Sequence, residues 1–540
     1  MKNKSSSTSP RRAAFAWTAA LAVSALLLSA CGGSGSGAAA GSRPRDGGTL
    51  VVGQYQEVTQ FDPNRQYSWE TWRIDRNIYE TLVDEDLSSP TGVPKIVPRL
   101  ATSWKVSDDA RTYTFTLRQG VKFSDGTPFD AEAVRFNVRR FSDPAFKYYD
   151  KVSAATMSLV YGDLASVEVV DDHTVRYSFK HPFLDFLRQI PNSGNAASGI
   201  FSPAALEKYG QDGLADHPVG TGPFTFQERV RGDHTTLVRN TGYWGARPHL
   251  DKVVFKPVGD DQSRVAALRS GAVDLISRVP PDSVASLEKA GFTVPENKSV
   301  PQIIYYSYNF QNPYLRDKRV RQAIAQAVDR RQLAAKIYKG YAEAATSIIN
   351  QGNEAYDPSA VDHPYDPAAA KKLIADAGYR PGQVTFTILS DTTGQPTAEF
   401  IQQGLKAVGI DAKVESFEWI TYGTRTANLT PTDGMYLGEW GYVAANWVRI
   451  AHDHSVVAHD GDKYSDTSDA TNKAIEAAAH NADPAKAAGL WQDAAQAWAK
   501  DATILPLLSF NRYYAVSSRV GGFVWPQQDH YDLSRIWVAS

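Results

Sequence analysis

Residues 100–136 read LATSWKVSDDARTYTFTLRQGVKFSDGTPFDAEAVRF. Within RTYTFTLR, Tyr113, Phe115 and Leu117 alternate with Thr112, Thr114 and Thr116, the period-two pattern of a strand with one face buried. Asp125-Gly126 then supplies a turn. The stretch predicts strand, turn and helix in that order.

The same logic extends C-terminally. Between Ser166 and Lys180, Val167 and Val169 precede an Asp171-Asp172 turn, and Val175, Tyr177 and Phe179 follow it. Residues 222–239 read as another hairpin around Arg231-Gly232-Asp233, so strands and hairpins dominate the first half. From about residue 260 helices and strands alternate. Asp366-Pro367 forms an N-cap and first turn, Leu373 and Ile374 point inward, and Gly378 stops the helix. Phe400, Ile401, Leu405 and Val408 share a helical face, Gly409 ends it, and Ile410, Ala412 and Val414 alternate along the next strand. A longer helix is predicted from Asp317 to Tyr338, with Val320, Ile324 and Val328 on one side. This order indicates an α/β fold, and no internal repeat interrupts it.

The chain begins with a processing signal. Lys2, Lys4, Arg11 and Arg12 precede a mostly apolar run from Ala13 to Leu28, followed by Ser29-Ala30-Cys31. Its sixteen residues fall short of the roughly 20 a membrane-spanning helix needs. Leu28-Ser29-Ala30-Cys31 matches a bacterial lipobox, so residues 1–30 are expected to be removed and Cys31 acylated. Cys31 is the single cysteine, which excludes a disulfide within the chain. Ser9-Pro10-Arg11-Arg12-Ala13-Ala14-Phe15 loosely resembles a twin-arginine signal, which leaves the Sec and Tat export routes both open. Residues 32–45, GGSGSGAAAGSRPR, are small and read as a flexible tether, so the globular part starts near Asp46.

Charge excludes one class of partner. The 57 basic and 59 acidic residues become a net charge of minus 6 once cleavage removes four basic side chains, leaving no basic field for nucleic acid. About 495 residues after the tether exceed one core, so two or more lobes are expected. Twelve Trp and twenty-six Tyr serve either as core or as flat, amphipathic walls of a ligand cleft.

The stretch 100–136, with Trp104, Phe123, Asp125-Gly126 and Ala131, resembles the family 5 extracellular solute-binding proteins of bacterial ABC importers, the peptide, dipeptide and nickel type. Similar in order are GGTLVVG at the start, IYETLVD at 78–84, PVGTGPFTF at 218–226, YWG at 243–245, ALRSGAVDLI at 267–276 and DKRVRQAIAQAVDRRQL at 317–333. The resemblance implies an α/β, two-lobed periplasmic-binding-protein-like fold of type II, with the ligand cleft between the lobes. It divides the chain into a lipoprotein signal peptide (1–30), a tether (31–45), lobe I (46–300) enlarged by an extra strand-rich subdomain (about 85–215), lobe II (301–502), and a C-terminal return to lobe I (503–540). It implies an exported monomer, lipid-anchored to the outer face of the cell membrane. Such a protein captures peptides or peptide-like solutes for an ABC permease driven by a separate ATPase, uses no cofactor and is not an enzyme.

For the cleft, the expected contacts are Tyr55 and Glu57 in the segment after the first strand, Trp69 with Trp72 nearby, and Trp419 and Tyr422 after the Val414 strand. GEWGYVAANW adds Trp440, Tyr442, Asn446 and Trp447. Every aromatic among them is also an ordinary core residue. Peptide binders of the group commonly carry an aspartate three residues after that tryptophan, for the ligand's ammonium group, and here the position is Val443. A buried ammonium needs a counter-charge, for which Glu57, Glu70 and Glu439 are the candidates.

Two other ligands fit the same transporter class. His452, Asp453, His454 and His459 lie close together, as in a nickel or metal-chelate binder. The surplus of Trp suits an oligosaccharide. From a different class, a secreted hydrolase would need a motif, and neither His-Glu-x-x-His, nor Gly-x-Ser-x-Gly, nor a Gly-Lys pair for a phosphate loop occurs. A paired-carboxylate hydrolase has no fixed spacing and stays open.

Overall fold

Strand Thr49–Gln54 (TLVVGQ) buries Leu50 and Val52 and lies parallel to Lys252–Pro257 on one side and Leu275–Ile276 on the other. Antiparallel strands His234–Arg239, Phe224–Val230 and Ala515–Val516 complete this six-stranded sheet. A second six-stranded sheet has Gln302–Tyr308 near its centre, every residue buried, with Asp433–Trp440 and Ile504–Phe510 antiparallel on its flanks. Thr385–Asp391 and Asp411–Phe417 continue it in parallel, and Ala342–Ala344 forms the other edge. The computed structural model describes residues 43–58, 60–65, 68–88, 94–191, 198–295, 302–359, 363–441, 445–449, 468–524, 530 and 532–539. The molecule is a two-lobed mixed α/β fold in which each sheet anchors its own hydrophobic core.

The stretch 100–136 builds a third, four-stranded antiparallel sheet of Ala101–Val106, Thr112–Leu117, Thr174–Phe179 and Leu164–Asp171. Tyr113, Phe115 and Leu117 are buried as their alternation demands. Phe186 seals that core, its ring 5.0 Å from Tyr113 and 4.7 Å from Phe179. The Asp130 carboxylate accepts from Ala133 N at the start of helix Ala131–Ser142, a cap worth about 1 kcal/mol.

Three separate motifs converge on one buried carboxylate. Glu80, from IYETLVD, accepts hydrogen bonds from Thr221 Oγ1 of PVGTGPFTF (2.8 Å) and from Tyr243 Oη (2.9 Å) and Trp244 Nε1 (2.7 Å) of YWG, and Arg99 Nε lies 2.7 Å away. A carboxylate that is 2 % exposed persists only with such partners. This junction fastens the four-stranded subdomain to the first sheet.

Three readings of local structure change. The first half also holds helices Trp69–Ile78, Lys151–Tyr161 and Pro203–Gly213, which the strand-led reading passed over. The single helix expected over 317–338 is two, Lys318–Ala327 and Arg330–Lys336. Val328 is extended (φ −101°, ψ 112°), and the Asp329 carboxylate caps the second helix by accepting from Gln332 N. The C-terminal return does not begin at residue 503: Ile504–Phe510 still pairs in the second sheet, and the chain crosses after Phe510 to reach Ala515–Val516.

Away from the sheets, the subdomain also meets the second lobe. The rings of His181 and His480 stack at 4.3 Å, Asp163 lies 3.6 Å from His480 and 3.9 Å from Arg449, and Arg188 pairs with Glu354 at 3.6 Å. Among the described residues no helix is long and apolar enough to cross a membrane.

Candidate ligand-binding cleft

In each lobe the parallel strands end toward the same place. Thr49–Gln54 runs out at Tyr55 and Gln56, and Leu275–Ile276 at Arg278. In the other sheet Thr385–Asp391 ends at Asp391, Asp411–Phe417 leads to Trp419, and Asp433–Trp440 ends at Glu439 and Trp440. The carboxyl edges of parallel strands are where open α/β sheets leave a crevice. Here they enclose a cavity of about 310 Å³, lined from both lobes. That lies at the lower end of the range for small-molecule sites, about 300–1,000 Å³.

Its walls are aromatic. Trp69 and Trp72, one and four residues into helix Trp69–Ile78, meet edge to face at 5.4 Å, and Trp419 lies 6.0 Å from Tyr422 on helix Trp419–Thr426. Tyr55 and Trp419 touch across the lobes, edge to face at 6.3 Å. Tyr305 closes the floor, its ring lying over the backbone of Gly438, where any side chain would collide with it. Trp419 is 43 % exposed at the rim, whereas Trp440, 9 % exposed, backs onto Trp447 at 4.7 Å.

The charged groups form a triad and a single. Glu439 accepts from Arg278 Nη2 at 2.5 Å through Oε2, and from Arg512 Nε and Nη2 at 2.8 and 2.6 Å through Oε1. Arg278 belongs to the first lobe, Glu439 to the second, and Arg512 to the segment crossing between them. Two guanidiniums and one carboxylate leave the triad with a net positive charge. Arg278 also lies over the Tyr55 ring (4.1 Å) and Arg512 over Trp69 (5.7 Å). Burial opposes the charge of Arg278, but Glu439 first and then Tyr55, Asp391 and Glu70 outweigh it and raise the guanidinium above its ordinary value. Arg278 sits at φ 51°, a costly conformation for a side-chain-bearing residue, and Arg264 holds it there by donating to the carbonyls of Ser277 and Arg278. Asp391 is the other acidic wall residue.

Of the residues singled out in the sequence, Tyr55, Trp69, Trp419, Tyr422, Glu439 and Trp440 line this cavity together, with Trp72. Trp69, Trp419 and Tyr422 do so from helices rather than loops. Glu57 is turned away, its carboxylate accepting from Gly232 N. Asn446 and Trp447 are buried behind the wall. Glu70 is wholly buried in an ion pair with Arg73 and accepts from Gln54 Nε2. Tyr442, Val443, His452, His454, His459 and Cys31 lie outside the described residues. Arg278, Arg512, Asp391, Tyr305 and Tyr338 were not foreseen. Of these, Arg278 alone carried a nearby signal, two residues beyond the ALRSGAVDLI motif.

Residues 95–448 match the bacterial extracellular solute-binding proteins, family 5 Middle. A curated relative, the glutathione-binding protein GsiB of Salmonella paratyphi A, is 34 % identical over 377 residues, 68 % of this chain and 69 % of that protein. Among solved structures, the periplasmic binding protein DppA of Helicobacter pylori in complex with the peptide STSA superposes with a TM-score of 0.79 at 28 % identity, covering 92 % of this chain and 99 % of that one. AgaA of A. tumefaciens R10 in complex with agropinic acid gives 0.79 at 25 % identity, with 91 % and 99 % covered.

Proposed function

Because the chain belongs to the family 5 bacterial extracellular solute-binding proteins, we propose that it captures small peptides or peptide-like solutes between its lobes and hands them to an ABC permease driven by a separate ATPase. The observation that carries this is the cavity itself: both lobes supply its walls, and the Arg278–Glu439 ion pair spans them. Ligand contacts to both faces stabilise the closed form, and a membrane partner can recognise that form. The net positive triad suits a ligand carboxylate, the aromatic walls suit side chains, and about 310 Å³ suits a short peptide rather than a long one.

In this reading the protein catalyses no reaction. Residues 1–30 direct export, and acylated Cys31 holds a monomer on the outer face of the cell membrane through the tether.

A thermal-shift screen of the purified protein tests the cargo, using di- to pentapeptides, nickel and iron chelates, and cello- and xylo-oligosaccharides. Ligand at 100 times its dissociation constant adds about 2.7 kcal/mol of stability. A shift with peptides supports the reading. A shift only with chelates or sugars replaces the ligand class, and no shift with any of them removes the binding assignment.

A further inference from the structure

Six buried carboxylates among the described residues lie beside cations: Asp62 with Arg140, Glu80 with Arg99, Asp150 with Arg65, Asp274 with Arg519, Asp433 with Arg425 and Asp501 with Lys318. Asp391 differs from these six. It is 6 % exposed, yet no Lys, Arg or His nitrogen lies within 4.0 Å of its carboxylate among the described residues. Its partners are uncharged: Gly394 N donates to Oδ1 and Thr393 Oγ1 to Oδ2, both at 2.8 Å. These bonds fix the carboxylate and leave each oxygen with a lone pair to spare.

The carboxylate faces the ligand cavity, among Tyr338, Trp419 and Tyr422. Burial raises the phenol of Tyr338 to about 12, with Glu439 and Asp391 adding to the effect. The cations of the cavity, Arg278 and Arg512, make their hydrogen bonds to Glu439 and none to Asp391. Taking a carboxylate out of water costs several kcal/mol unless a cation compensates it. Arg278 acts on Asp391 only at a distance, so the place of a direct cationic partner is open to a ligand.

We infer that Asp391 is the counter-charge for the ligand's ammonium group, in place of the aspartate that Val443 lacks. Glu57, Glu70 and Glu439 are all engaged elsewhere. The ligand class narrows to zwitterions with a free amine, its ammonium at Asp391 and its carboxylate toward the Arg278–Arg512 side. This inference rests on the peptide-binding reading.

The test compares wild type with Asp391→Asn by isothermal titration calorimetry at pH 7, using a mixture of di- and tripeptides and the same mixture N-acetylated, together with melting of both proteins without ligand. Asp391→Asn is expected to weaken free-amine peptides at least about thirtyfold and to leave the acetylated ones unchanged. Without ligand its melting temperature should equal or exceed that of wild type, because a buried charge is gone. Equal loss for both mixtures, no loss for either, or a drop of several degrees without ligand would overturn the assignment, the last marking Asp391 as a helix cap only. Wild type binding both mixtures alike also sinks Asp391 alone, whereas wild type binding neither overturns the peptide reading and this inference with it.

Discussion

Arg278 Nη2 and Glu439 Oε2 stand 2.5 Å apart, one from each lobe. Their side chains are 21 % and 23 % exposed, so water weakens the pair without removing it. Arg278→Ala leaves Glu439 to Arg512 and deletes this ion pair between the lobes. Small-angle X-ray scattering should show a larger radius of gyration for the unliganded variant, and titration a loss of about 1–2 kcal/mol in ligand affinity. Identical scattering and affinity would reduce the pair to an incidental contact.

Two tryptophans of the wall should respond differently. Trp419 is 43 % exposed at the rim, so Trp419→Ala is expected to lower affinity with little change in melting temperature. Trp440 is backed by Trp447 and belongs to a buried cluster with Trp491 and Trp498, so Trp440→Ala should also cost about 3–5 kcal/mol of stability. Melting curves of the two variants without ligand separate the cases; equal losses would contradict the difference in burial.

Arg140 tests the first lobe's buried ion network. It is fully buried, donates to both Asp62 oxygens and to Gln211 Oε1, and lies 5.1 Å from the Phe201 ring. Arg140→Ala leaves the buried Asp62 charge only the more distant Arg65, at 3.7 Å, and should cost about 3 kcal/mol in urea denaturation. A loss below about 1 kcal/mol would mean that water reaches Asp62.

At the contact between subdomain and second lobe, burial and then Glu354 push the Asp185 carboxyl up to about 6, against Arg188 and the Trp491 N–H. A carboxyl whose pKa is higher folded than unfolded binds its proton more tightly in the folded state. Stability therefore falls as pH rises from about 4 to about 6 and stays lower above that. Asp185→Asn should melt higher than wild type at pH 7, and the difference should vanish near pH 4. A difference independent of pH would refute the assignment.

Cys31→Ser addresses the anchor. Labelled palmitate should mark the wild-type protein in bacterial cells and not the variant, which should appear in the soluble fraction. Labelling of both would place acylation elsewhere.

Much of the fold was legible because its signals are local. Alternation at Tyr113, Phe115 and Leu117 and the Asp366-Pro367 cap depend on near neighbours in sequence. The aromatic wall was partly legible, since Tyr55, Trp69, Trp419, Tyr422 and Trp440 are large and follow strand-like runs. Of its charges only Glu439 was. Arg278, Asp391 and Arg512 come from segments far apart in sequence, and nothing in an isolated arginine says which carboxylate will face it. The break at Val328 was missed because its apolar side chain kept the helical period while Asp329 competed for the backbone. Helix Trp69–Ile78 buries Glu70, Arg73 and Asp75 among apolar residues, so charges occupy positions where an amphipathic pattern would show hydrophobics.

Arg512 lies on the short run between Phe510 and Ala515 that carries the chain from one sheet to the other. The same few residues thus serve as fulcrum and clasp. Were the lobes to part about that segment, the guanidinium holding Glu439 would move with it, and spreading the lobes and loosening the clamp would be one mechanical stroke. A transport partner that levers the lobes apart would discharge the cargo without a separate trigger.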